Sequence, residues 1–70
     1  MTARSVRVNG EARRVPPGTS LAAIVGEMAR DRRDGIAVAV NGEIVPRGRW
    51  QARELEDGDD IEIVRAVQGG

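Results

Sequence analysis

The chain has 70 residues and no formal net charge, because eleven acidic side chains balance eleven arginines. That length allows one domain with a small core, and the balance argues against a protein that binds nucleic acid through charge. Cys, His, Lys and Tyr are absent, which removes thiol and imidazole chemistry, Schiff bases and the commonest metal ligands. We therefore expect a carrier or binding module rather than an enzyme, with no bound cofactor or metal.

The apolar runs of the chain are short. None approaches the roughly 18 residues that a membrane span needs, and the N-terminus leads into a strand-like pattern without an apolar signal core. We therefore expect a cytoplasmic protein that does not associate with membranes.

The N-terminal stretch predicts a β-hairpin. Val6 and Val8 alternate with polar residues, as in a half-buried strand. Asn9-Gly10 is the strongest short signal for a type I′ turn, because both residues tolerate positive φ. The returning strand is predicted at Glu11 to Val15, and it ends at Pro16-Pro17-Gly18 because proline cannot donate to a ladder.

A helix is predicted next. Thr19 or Ser20 can cap it with a side-chain oxygen. Its apolar residues recur at the spacing of one helical face, and they are Leu21, Ile24, Val25 and Met28. Gly35 is the predicted stop, after a highly charged segment at 30–34.

The second half of the chain predicts further strands. Ile36, Val38 and Val40 alternate with alanines, and apolar residues on both faces predict a central strand that is at least partly covered on its second side. Asn41-Gly42 predicts a second hairpin turn, followed by a short strand at 43–45. An irregular excursion at 47–56 precedes a last strand from Ile61 to Val64.

These elements predict an α+β domain over residues 1–65 and a flexible tail at 66–70. One helix can cover only one face of a sheet, so we expect it to lie across a mixed sheet of four or five strands, the β-grasp arrangement. Ile63 should be buried beneath the helix. Trp50, the single tryptophan, should fill the core rather than bind a partner.

The tail ends in Gly69-Gly70, two residues without side chains and with a wide choice of backbone angles. Such a tail can enter a narrow channel and present the carboxylate of Gly70 to a partner's active site. A carboxylate is a poor acyl donor, but its adenylate has a good leaving group that a sulfur nucleophile can displace. We expect Gly70 to be the modified residue, with the preceding tail residues threading into the partner: Ala66, Val67, Gln68 and Gly69.

Along nearly its whole length the sequence resembles the ThiS family, the ubiquitin-like sulfur carriers of thiamine biosynthesis. The resemblance is carried by Val8-Asn9-Gly10-Glu11, the helix entry at 17–21, the stretch at 38–47, and Arg49-Trp50, Leu55, Asp57-Gly58-Asp59 and the segment 62–70. The closing Ala-Val-Gln-Gly-Gly is its most specific part. The charged segment at 30–34 departs from the family pattern, in which we would expect an apolar residue there.

The resemblance implies a set of partners. A ThiF-type adenylyltransferase, using ATP and Mg²⁺, would adenylate Gly70. Sulfur derived from a cysteine desulfurase would convert the adenylate to a thiocarboxylate, and a ThiG-type thiazole synthase would take up the sulfur. The chain itself would be a co-substrate of these enzymes, and a monomer when alone.

Three alternatives stay open. The small subunit of molybdopterin synthase shares the terminal chemistry, although Val-Gln before Gly-Gly and the short length favour the ThiS family. A protein modifier would form isopeptide bonds through Gly70. An RNA-binding module would use the arginines at 13–14, 32–33, 47 and 49 and would lose affinity with salt, but interleaved acidic residues favour a solvated surface.

Two surface features complete the predictions. The acidic run from Glu54 to Glu62 reads as an exposed turn, since a metal loop would need a tighter ligand pattern. Val64 and Ala66 should be exposed opposite Ile61 and Ile63 by alternation. We expect this strip, next to the tail, to dock on a partner.

Overall fold

The computed structural model describes residues 2–28 and 35–65. In chain order the elements are β1 (Arg4–Val8), β2 (Glu11–Val15), α1 (Leu21–Met28), β3 (Ile36–Val40), β4 (Glu43–Ile44), a short 3₁₀ helix (Arg47–Arg49) and β5 (Asp60–Arg65). The strands form one five-stranded sheet in the order β2-β1-β5-β3-β4. β1 and β5 are parallel and every other neighbouring pair is antiparallel. The predicted mixed sheet with a single main helix is confirmed.

Both hairpin turns have the predicted geometry. Asn9 and Gly10 have φ of 51° and 85°, and Asn41 and Gly42 have φ of 54° and 84°. Positive φ at both central residues defines the type I′ turn, whose twist matches that of the flanking strands. The two Asn-Gly pairs therefore set the register of β1 on β2 and of β3 on β4.

The helix α1 is capped by Ser20 rather than Thr19. The backbone N–H of Ala23 donates to Ser20 Oγ at 3.2 Å, whereas the Thr19 hydroxyl donates to the Pro16 carbonyl at 2.7 Å. Leu21, Ile24 and Val25 are buried as predicted, but Met28 is 44% exposed. Met28 lies on the last described turn of α1, beyond the part of the helix that packs on the core.

The core lies between α1 and one face of the sheet. Its most buried side chains are Leu21, Ile24, Val25, Val38, Leu55 and Ile61. Trp50 is buried, and its indole N–H donates to the Val45 carbonyl at 2.8 Å. The prediction that Trp50 fills the core is confirmed, because both its apolar body and its polar atom are satisfied inside the domain.

β3 is an interior strand of the sheet, as predicted, since it lies between β5 and β4. The predicted cover on its second side is only slight, because Ala37 is exposed and Ala39 is half-buried. An alanine methyl group exposes little apolar area, so it does not require a covering layer. Ile63 is half-buried rather than buried, because it lies near the end of β5, beside the exposed Met28.

Candidate functional site

The functional site predicted from the sequence is the tail, and the structure describes the strand that leads into it. Ala66, Val67, Gln68, Gly69 and Gly70 lie outside the described residues, as does the charged segment at 30–34. Arg65, the last described residue, pairs with Ile36 at the start of β3. The root of the tail is therefore at the centre of the sheet, at the end near the Asn9-Gly10 turn.

The carboxyl end of β5 is held by the side chain of Asn9. The backbone N–H of Asn9 donates to the Ile61 carbonyl at 2.9 Å, as a parallel strand would. After Asn9 the backbone turns away from β5 into the hairpin, and the N–H of Ile63 donates instead to the side-chain oxygen Oδ1 of Asn9 at 2.8 Å. Sequence reasoning treated Asn9 only as a turn residue, since nothing in the local pattern shows which distant strand its amide meets.

The amino end of β5 is anchored by Asn41 and Asp59. Asn41 accepts from the Asp60 N–H through Oδ1 at 3.0 Å, and its Nδ2 donates to Asp59 Oδ1 at 3.0 Å. Asp59 also accepts from the Glu56 N–H at 2.8 Å and lies 3.2 Å from an Arg53 nitrogen.

The acidic segment is therefore not uniformly exposed. Asp57, Asp60 and Glu62 are exposed as predicted, but Asp59 is only 5% exposed. Its burial is possible because charge and hydrogen bonds compensate the carboxylate. Within 2–28 and 35–65 no group of three or more acidic side chains is placed to hold a metal ion.

The face of the sheet opposite α1 carries an apolar patch beside the tail root. Val64 is 60% exposed, as predicted, and it pairs with Ala37. Ile44 is 70% exposed and pairs with Ala39, so it lies on the same face. We call Ala37, Ala39, Ile44 and Val64 the open-face patch.

Sequence reasoning found one end of this patch and missed the other. The alternation along β5 identified Val64, and Ala66 lies outside the described residues. Ile44 is the end that it missed. Ile44 and Val45 are consecutive apolar residues of a predicted strand, so their side chains point to opposite faces, and one of them could have been expected to be exposed.

A shallow groove of about 210 Å³ lies on the other side of the tail root. It is lined by Asn9, Met28, Ile36, Ile63 and Arg65. The described surface near the tail root thus offers an apolar sheet face and an open groove.

No helix in the described parts of the chain has the length and apolarity to cross a bilayer.

The arginine pairs that the structure describes lie at opposite edges of the sheet. Arg13 on β2 donates to Glu27 at 2.9 Å, while Arg47 and Arg49 follow β4, at the opposite edge of the sheet. The pair at 32–33 lies outside the described residues. The described arginines therefore give no support to the RNA-binding alternative, which needs one continuous basic face.

Comparison with known proteins gives consistent results. Residues 6–70 match the sequence model of the ThiS family. Over 44 residues the chain is 39% identical to the sulfur carrier protein ThiS of Escherichia coli (strain K12). The matched region covers 63% of this chain and 67% of that protein. The crystal structure of the thiamine biosynthesis protein ThiS from Geobacter metallireducens matches with a TM-score of 0.73 at 25% identity, covering 94% of this chain and 99% of that one.

A longer relative also matches. The chain is 38% identical over 63 residues to a thiazole synthase of Paramagnetospirillum magneticum (strain ATCC 700264 / AMB-1). The match covers 90% of this chain but only 19% of that protein. The similarity is thus confined to a small part of the longer protein.

Proposed function

Because this chain belongs to the ThiS family of thiamine-biosynthesis sulfur carriers, we propose that it holds its sulfur as a thiocarboxylate on Gly70. The observation that carries the proposal is the family match over residues 6–70, which includes Gly69-Gly70. Two residues without side chains give the tail the slenderness that a deep active site requires. We propose that Gly70 carries a free carboxylate, since this is the group that would be adenylated.

The proposed chemistry has two steps on a partner enzyme. The Gly70 carboxylate attacks the α-phosphorus of ATP, a P–O bond forms, and pyrophosphate leaves. Sulfide then attacks the acyl carbon, a C–S bond forms, and AMP leaves with the C–O bonding electrons. ATP and Mg²⁺ are bound by an adenylyltransferase of the ThiF type. The sulfur originates from a cysteine desulfurase as a persulfide, which a thiol reduces to sulfide while the two thiol sulfurs join in a disulfide. The carrier supplies only the carboxylate and a surface to recognise.

We propose a thiazole synthase as the client that consumes the sulfur. The support is the relative named thiazole synthase, of which a part resembles nearly all of this chain. A carrier-like segment within the same polypeptide would raise the effective concentration of one partner near the other. This observation favours thiazole formation over molybdopterin synthesis and over protein modification.

We propose that the open-face patch docks on the adenylyltransferase while the tail enters its active site. Val64 and Ile44 are large apolar side chains that remain exposed in the isolated domain. Exposed apolar side chains grouped beside a reactive segment are typical of a protein–protein contact. Val64, at one end of the patch, lies on β5 next to the tail root, so docking would aim the tail.

The proposal is tested by intact mass spectrometry. With the adenylyltransferase, ATP, Mg²⁺ and a sulfur source, the mass of the carrier should rise by about 16 Da, the difference between sulfur and oxygen. Deletion of Gly70 should abolish this rise and leave the melting temperature unchanged. An equal rise in the truncated chain, or no rise in the parent, would overturn the assignment of Gly70.

A second arm identifies the client. The thiocarboxylate form is incubated separately with thiazole synthase, with molybdopterin synthase large subunit, and with a lysine-rich protein. We expect the sulfur to be lost only with thiazole synthase. Adducts with the lysine-rich protein would indicate a protein modifier instead.

A further inference from the structure

We propose that Asn9 is a positioning residue for the tail: its carboxamide holds Ile63 and so sets where the chain leaves the sheet. This inference rests on the proposed function, since it concerns how the tail reaches the adenylyltransferase. It assigns to a hairpin turn a role in a reaction that takes place seven residues beyond Ile63 in the sequence.

The two sides of β5 are supported unequally. On one side β3 pairs with β5 as far as Arg65, opposite Ile36. On the other side β1 pairs only with Asp60 and Ile61, because β1 ends at Val8. The last residues of β5 therefore continue past the end of their parallel neighbour.

The Asn9 side chain extends that neighbour by one hydrogen bond. The Ile61 carbonyl faces β1, since it accepts from the Asn9 N–H. Groups two residues apart on a strand face the same side, so the Ile63 N–H also faces β1. Asn9 Oδ1 accepts from it at 2.8 Å, in the place where a continuing strand would have offered a backbone carbonyl.

The position makes two independent demands on the residue. A φ of 51° disfavours most side chains, and the Ile63 N–H needs an acceptor at this distance. Glycine meets only the first demand. Asparagine and aspartate meet both, because each tolerates left-handed backbone and carries an oxygen on Cγ.

Asn41 provides an internal comparison. It has a φ of 54° in an equivalent turn, and its Oδ1 accepts from the Asp60 N–H at 3.0 Å. The two turns therefore hold the same strand through the same atom type, one at each end. Only Asn9 acts at the end from which the tail emerges, whereas Asn41 also supports the buried Asp59.

Loss of the Asn9 contact should loosen the end of β5 without unfolding the sheet. β3 still holds Val64 and Arg65 on the other side, but the tail root would sample more positions. Binding to the adenylyltransferase must then order more of the chain, which weakens binding. Once the tail is bound, the chemistry is unchanged. The effect should thus fall on KM rather than on kcat.

The experiment compares three variants of the full chain: Asn9→Gly, Asn9→Asp and Asn41→Gly. Adenylation by the ThiF-type enzyme is followed by ATP–pyrophosphate exchange, and the Ile63 amide by hydrogen exchange. For Asn9→Gly we expect a KM raised roughly fivefold with kcat unchanged and Ile63 exchange faster by a similar factor. Fivefold corresponds to about 1 kcal/mol, the size of one hydrogen bond.

The other two variants separate positioning from stability. Asn9→Asp keeps the acceptor and should retain the parent's KM. Asn41→Gly should lower the melting temperature more than Asn9→Gly, since it removes two contacts, but its KM should match the parent's at a temperature where it is folded. This opposite order of stability and KM is the signature of a positioning role.

Three results would overturn the inference. Asn9→Gly with the parent's KM would show that the Asn9–Ile63 hydrogen bond does not affect binding to the enzyme. An equal rise in KM for Asn41→Gly would show a general loss of rigidity. A parent protein that is not adenylated at Gly70 would remove the proposed function and this inference with it, whereas adenylation of the parent together with either of the first two results would remove the inference alone.

Discussion

Asn41 Nδ2 donates a 3.0 Å hydrogen bond to Asp59 Oδ1, and this contact joins the second hairpin to the turn that precedes β5. The two residues are 18 positions apart in the sequence. Asp59 also accepts from the Glu56 N–H, while Arg53 partly neutralises its charge. A short polar network thus fixes the start of the strand that leads to the tail.

This network predicts a large effect of Asp59→Ala. The substitution would leave the Asn41 amide and the Glu56 N–H without their acceptor, and we expect a loss of about 2–4 kcal/mol in the free energy of unfolding. Urea denaturation followed by the fluorescence of Trp50 measures it. Asp60→Ala is the matched control, because Asp60 is exposed and should change stability by no more than about 0.5 kcal/mol. Equal losses for the two variants would contradict the network.

Two isoleucines on β5 should differ in their contribution to stability. Ile61 is fully buried and Ile63 is half-buried. Ile61→Ala should cost about 2–5 kcal/mol, and Ile63→Ala about 1–2 kcal/mol, since less apolar area is lost from the core. The same residue type is replaced on the same strand, so differences in β propensity cancel. A larger loss at Ile63 would place the core nearer the tail than the structure shows.

The open-face patch predicts a binding defect without a folding defect. We expect the double variant Val64→Thr, Ile44→Thr to bind the adenylyltransferase about tenfold more weakly, because it removes two apolar contacts but keeps β-branched side chains. Calorimetric titration measures the affinity. Ala12→Thr is the control, since Ala12 is exposed on the edge strand β2, away from the patch. If the control weakened binding as much as the double variant, the patch would not be the docking surface.

The terminal glycine pair predicts a strict steric limit. If the tail threads a channel, the Cβ added by Gly69→Ala meets the channel wall, and sulfur loading or transfer should fall at least roughly tenfold. That corresponds to about 1.4 kcal/mol of transition-state free energy. The melting temperature should not change. Single-turnover loading followed by mass spectrometry measures the rate. Loading and transfer at the parent's rates would exclude the close-fitting channel but not the carrier function.

Local physical chemistry made much of this fold predictable from the sequence. Both type I′ turns follow from Asn-Gly pairs. Val6 and Val8 are two positions apart, as are Val38 and Val40, and this spacing identifies the buried face of each strand. The helix face follows from Leu21, Ile24 and Val25. In each case the deciding interactions lie within a few residues along the chain, so a single sequence window contains them.

The tertiary structure decided what depends on strand order. Only the insertion of β5 between β1 and β3 brings Asn9 to Ile63, 54 positions away, and Asn41 to Asp59. The same insertion places β5 beside β1, which ends at Val8, and Ile63 is half-buried beyond that end. Asp59 is buried for a related reason, since its partners come from two other segments of the chain. These features arise from long-range pairing, and the identity of a strand's neighbours is not encoded in its own alternation.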